Sequence, residues 1–146
     1  MALNAQEINV QMKVISKITG QLLHQVVRCE KESGKTQRED ICAQFEGLQL
    51  AKLHLQAGQT FKAHKHNYSP RVIPAAQESW VVISGKVTAF YYDLDGKQIM
   101  ETELCPGDVS ITFAGGHNYR ADVDSYVYEF KTGPYYGHEV DKTIIH

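Results

Sequence analysis

From Leu48 onward the chain is cut into short β-branched and aromatic runs, each ended by turn residues after about eight to twelve positions, and this spacing leaves little room for helix. An all-β fold follows. The runs expected to be strands are Leu48–Leu55, Phe61–His66, Trp80–Ser84, Val87–Tyr92, Gln98–Leu104, Val109–Phe113 and Ser125–Lys131. Between the fourth and fifth, Asp93-Leu94-Asp95-Gly96 predicts a hairpin, because Gly96 can take positive φ. Pro106-Gly107-Asp108 and Ala114-Gly115-Gly116 punctuate the next runs in the same way. The pattern is that of an antiparallel sandwich or barrel.

The first 47 residues are less regular. Ile8, Val10, Met12 and Val14 alternate as a half-buried strand does. Leu22, Leu23, Val26 and Val27 suit a helix or a strand, and the polar stretch from Glu30 to Asp40, with Ser33-Gly34 at its centre, reads as an exposed connection. Gly133-Pro134 stops the last strand, since proline cannot donate to a ladder, and Tyr135-Tyr136-Gly137-His138 follows as a tail able to fold across a barrel mouth. No linker separates two halves. A chain of 146 residues is therefore expected to be one domain, spanning 1–146, with one site.

Charge and composition exclude several functions. The formal net charge is -2 and the basic residues are scattered, so no stripe of Lys and Arg is available to neutralise phosphates, and nucleic acid is not an expected partner. Apolar stretches are only a few residues long, as in Trp80-Val81-Val82-Ile83, and the N-terminus lacks the features of a signal peptide. No membrane partner is expected. Three cysteines, Cys29, Cys42 and Cys105, without CxxC spacing, argue against a disulfide framework or a thiolate zinc site and for a reducing cytosol. Cys105 has no histidine near it in sequence to activate it as a nucleophile.

The chemistry concentrates on histidine. His64-Lys65-His66 puts two imidazoles at i and i+2, which on a strand face the same way. Five residues separate Gly58 from His64, six separate Glu78 from Gly85, and His117 follows Gly115-Gly116 at the start of the next strand. Glu78 lies beside Trp80 and Val82 in an apolar run, where an unpaired carboxylate is costly, so a metal or cation partner is expected for it. Imidazoles with one carboxylate suit a divalent transition metal such as Zn, Fe, Ni or Mn. Gln77 is the alternative oxygen ligand if the register slips by one. Glu78 could equally orient a histidine from behind.

These spacings resemble those of the cupin superfamily, whose first motif carries the H-x-H pair, a glutamate and a glycine, and whose second carries a further histidine. The likeness covers about Leu48 to Lys131, with 1–47 as N-terminal strands and connection and 132–146 as tail. Eleven residues separate His66 from Glu78 where the family has three or four, and Phe113 and Ala121 replace the second motif's proline and asparagine. The resemblance implies a jelly-roll barrel, one divalent metal held by His64, His66, Glu78 and His117, and a homodimer to which the N-terminal strand contributes. It further implies a metal-dependent isomerase, epimerase-like enzyme or lyase acting on a small polar substrate such as a sugar or sugar nucleotide of surface-polysaccharide biosynthesis. The alternatives are an Fe(II)-dependent dioxygenase and a non-catalytic, metal-assisted ligand sensor. Tyr128 and His54 are the candidate catalytic side chains; Arg71, Arg120 and Tyr119 are the candidates for substrate binding.

Overall fold

A computed structural model describes residues 11–29 and 38–146. Among the described residues ten strands occur in the order β1 (Gln11–Ile15), β2 (Leu22–Val27), β3 (Arg38–Asp40), β4 (Ala51–Leu53), β5 (Glu78–Ser84), β6 (Val87–Tyr92), β7 (Gln98–Leu104), β8 (Val109–Thr112), β9 (Gly116–Ala121) and β10 (Tyr126–Lys131), followed by one helical turn, α1 (His138–Asp141). They form three antiparallel sheets: β1-β2-β8-β5-β10, β3-β4 and β7-β6-β9. None of the three closes on itself, so the expected jelly-roll barrel is corrected to an all-β domain of three open sheets.

Where alternation and turn chemistry agree, the strands fall as the residues require. Val87–Tyr92 and Gln98–Leu104 pair about Asp93–Gly96, where Gly96 has φ 80° and its N–H bonds the Asp93 carbonyl at 3.0 Å. The five- and three-stranded sheets share one core. Val14, Val26 and Val82 from the first meet Val87, Ala89, Tyr91 and Leu104 from the second, and each fully buried aliphatic side chain there contributes roughly 1.5–3 kcal/mol. On the other face of the five-stranded sheet, Ile111 and Phe113 pack with Cys42, Leu48 and Leu50. Covered on both faces, β2 carries five buried residues in succession, which is why its apolar run gives no period.

Three expectations about elements change. Phe61–His66 forms no strand: residues 54–77 contain none, and 60–72 are exposed throughout. Only Phe61 and Ala63 of that run are apolar, so pairing it would bury little surface against the entropy of ordering it. Leu48–Leu55 shrinks to Ala51–Leu53, paired with Arg38–Asp40, the end of the stretch expected to be a connection. Met12 and Val14 lie in β1 as their alternation requires, whereas Ile8, Val10 and residues 30–37 are outside the described residues. Among the described residues no helix is long and apolar enough to cross a membrane.

Candidate ligand pocket

Cross-strand register builds the site. Val14, His24, Thr112, Glu78 and Lys131 lie directly opposite one another across β1, β2, β8, β5 and β10, forming one row over the whole sheet. Four of the five are polar, and the row stands at the end of the core. His117, on β9 of the other sheet, reaches across it: its Nε2 lies 3.1 Å from Glu78 Oε1. A pocket of about 700 Å³ opens above this pair, lined by Glu78, Thr112, Lys131 and His117, by the apolar Phe113 and Leu94, and by Asp141–Ile145 from the tail.

Glu78 is held tightly. Its Oε1 accepts a second hydrogen bond from the Trp80 indole N–H at 3.0 Å, and its side chain is only 10% exposed. Burial alone would raise its carboxyl pKa, but the hydrogen bond and charge of His117, the Trp80 N–H and the nearby Lys142 outweigh it and hold the group below its ordinary value. His117 Nδ1 is buried and has no hydrogen-bond partner among the described residues.

Beneath the pair lies a second layer of polar groups. The Trp80 ring stacks on Tyr119 with centroids 4.0 Å apart and planes 13° apart. Tyr119 and Tyr91 both meet the Ser110 hydroxyl, at 3.0 and 2.7 Å. Burial pushes the Tyr91 phenol up to about 12 and raises Tyr119 as well, so both remain protonated hydroxyls. His24 is wholly buried. Its Nε2–H donates to the Tyr92 carbonyl at 3.3 Å, and Nδ1 accepts from the Thr112 hydroxyl at 3.0 Å. Burial lowers its pKa to about 4, leaving a neutral imidazole under the pocket.

The residues singled out from sequence are distributed as follows. Glu78 and His117 are brought together, and Tyr119 supports them from below. Gln77 points elsewhere: its side chain accepts from the Leu48 N–H at 2.7 Å and donates to Glu46 at 2.8 Å. His64 and His66 lie on the exposed 54–77 segment with rings 5.4 Å apart, and His64 Nδ1 bonds the Lys62 carbonyl. His54 and Arg71 are exposed on the same segment. Arg120 is tied to Asp122 at 3.0 Å and lies over Phe90, while Tyr128 is 61% exposed on β10. None of these last six lines the pocket. His24, Lys131, Asp141 and Lys142 belong to the site without having been singled out. His24 offers one signal, a titratable ring between the apolar pairs Leu22-Leu23 and Val26-Val27, but Lys142 offers none.

No protein-family model, curated protein or solved structure matches the chain. The resemblance to cupins is therefore corrected. The family is not matched, the barrel does not close, and among the described residues no group of three or more His, Cys, Asp or Glu could hold a metal ion. Two donor pairs, His64 with His66 and Glu78 with His117, remain unjoined, so the donor set does not fit the expected metal centre. The metal-dependent isomerase or lyase, the Fe(II) dioxygenase, the metal-assisted sensor and the polysaccharide role lose their basis with it.

Proposed function

We propose that this protein binds a small polar molecule in the pocket between β5, β9 and the tail, with the Glu78–His117 pair as its polar anchor. The carrying observation is that pair itself, a largely buried carboxylate bonded to an imidazole at the floor of a cavity of about 700 Å³. Cavities of this size with apolar walls and a few convergent polar groups are the usual form of small-ligand sites. Self-association belongs to the same proposal. β10 is an edge strand that exposes Tyr126, Tyr128 and Phe130, and an unpaired edge beside aromatic rings favours pairing with a second copy. The exposed free thiols of Cys29 and Cys105 support a reducing, cytosolic setting.

Thermal denaturation in the presence of amines, carboxylates, sugars and phosphate esters tests the pocket. Wild type is compared with Ala76→Phe, which fills the pocket from an exposed position. A ligand at about a hundred times its Kd adds roughly 2.7 kcal/mol to stability. Compounds that raise the Tm of wild type should leave Ala76→Phe unmoved. Equal shifts in both proteins, or no shift with any compound, would refute the site.

A further inference from the structure

Two polar atoms at the pocket floor are open among the described residues, one on Glu78 and one on His117. Glu78 Oε1 already takes hydrogen bonds from Trp80 and His117, whereas Oε2 takes none among the described residues. His117 Nδ1 is likewise without a hydrogen-bond partner among the described residues. Lys131 does not answer this charge, because its ammonium lies 4.1 Å from the Tyr135 ring centroid and 3.9 Å from Glu129. Lys142, in the tail, lines the same pocket as Glu78, and its charge acts on that carboxylate after that of His117.

The tail is weakly held where it crosses the mouth. Its last main-chain hydrogen bond is Lys142 N–H to the His138 carbonyl, and among the described residues Thr143–His146 make none. What seats it is Ile145. A Cβ on Gly116 would stand 2.2 Å from Ile145 Cδ1, and one on Gly96 3.3 Å from Cγ2, so two side-chain-free positions form the notch that receives this residue. Ile144 and Ile145 are 58% and 42% exposed, so little apolar burial opposes release.

We infer that the pocket takes a small aliphatic amine as its ammonium ion, donating to Glu78, and that Lys142–Ile145 is a displaceable strap that presents the same chemistry, a cation followed by an aliphatic side chain, while the pocket is empty. This rests on the pocket being the ligand site. The amine's charge replaces that of Lys142, and its chain runs along Phe113 and Leu94.

The test uses n-pentylammonium, n-pentanoate and n-pentanol as probes of matched shape, in amine-free phosphate buffer at neutral pH. Trp80, the single tryptophan, donates to Glu78 and so reports the probe by fluorescence. Pentylammonium should bind wild type while the other two do not, and Glu78→Gln should abolish that binding. If the strap is closed nine-tenths of the time, deleting residues 142–146 tightens the ammonium probe about tenfold. Gly116→Ala supplies an independent variant with the tail intact: Gly116 lacks the positive φ that would strain alanine, and the new methyl fills the notch, so that the Ile145 side chain must turn out of it. It should tighten binding in the same direction. Equal or tighter binding of pentanoate, no binding of the amine, or an affinity unchanged in both strap variants would overturn the inference. Pentanoate binding that Ala76→Phe blocks would sink the amine and leave the pocket standing, whereas amine binding that Ala76→Phe does not block would count against the pocket itself.

Discussion

His24 is predicted to make the protein acid-sensitive in a window set by its burial. The ring is wholly enclosed between Thr112, the Tyr92 carbonyl and the Tyr91 ring, whose centroid is 4.6 Å away. Its pKa falls from 6.5 to about 4 on folding, so between these values the unfolded chain binds a proton that the folded chain refuses. Stability contributed by the neutral ring is therefore complete above about pH 6.5 and is lost as pH falls toward about 4. At about 1.36 kcal/mol per unit, the loss across the window is about 3 kcal/mol. Carboxylates with lowered pKa, Glu78 among them, lose their contribution only at lower pH, so the upper part of the window isolates the imidazole. Urea unfolding followed by Trp80 fluorescence, at about pH 7 and about pH 4.5, measures the stability of wild type and of His24→Gln. The glutamine variant should start less stable by roughly 1–3 kcal/mol, because it cannot reproduce both hydrogen bonds. The gap should then close by about 2–3 kcal/mol at the lower pH, because only wild type carries the histidine penalty. An equal gap at the two pH values would refute the buried neutral ring.

Two further outcomes follow from other parts of the fold. Asp108, with a side chain 7% exposed, accepts from Arg28 at 2.8 Å and from the N–H groups of Cys29 and Cys105 at 2.8 and 2.9 Å, so Asp108→Ala leaves two amides unbonded and takes the charge partner from Arg28, which keeps only the Glu103 carbonyl and the Thr102 hydroxyl. It should cost roughly 3–5 kcal/mol by thermal or urea denaturation, and a loss under about 1 kcal/mol would show that the carboxylate does not organise this corner. Sedimentation velocity should find a concentration-dependent dimer for wild type and a monomer for Tyr128→Lys, since an edge lysine resists pairing; a wild-type monomer at every concentration would remove β10 as a contact.

The parts of the fold that sequence foretells are those decided locally. β6 and β7 begin and end where alternation and the Asp93–Gly96 turn put them, because a hairpin's register is fixed by its own turn. The 54–77 segment is the counter-example. His64-x-His66 has the spacing of a shared strand face, but a strand exists only if another strand accepts its hydrogen bonds, and among the described residues none does so. The three-sheet arrangement is equally non-local. Nothing in Leu22–Val27 says that it will lie between β1 and β8 with both faces covered, so the strand could not be told from a helix and His24 passed unnoticed inside it.

Glu78 shows which kind of reasoning survives that limit. Sequence bears on it in two ways, through its place in a family spacing and through the cost of leaving a carboxylate unpaired in an apolar strand. The spacing led to a metal with His64 and His66, and no described group of residues assembles one. The energetic reasoning required only some compensating partner, and it holds whatever the family: His117 and the Trp80 N–H both bond the carboxylate. Even so, the cost of burial could not name His117, which lies 39 residues away on a different sheet. Compensation is dictated by the residue itself, while the identity of the compensating group is dictated by register across strands. A motif runs along one strand, but this pocket draws on β5, β8, β9, β10 and the tail, so no single stretch of sequence announces it.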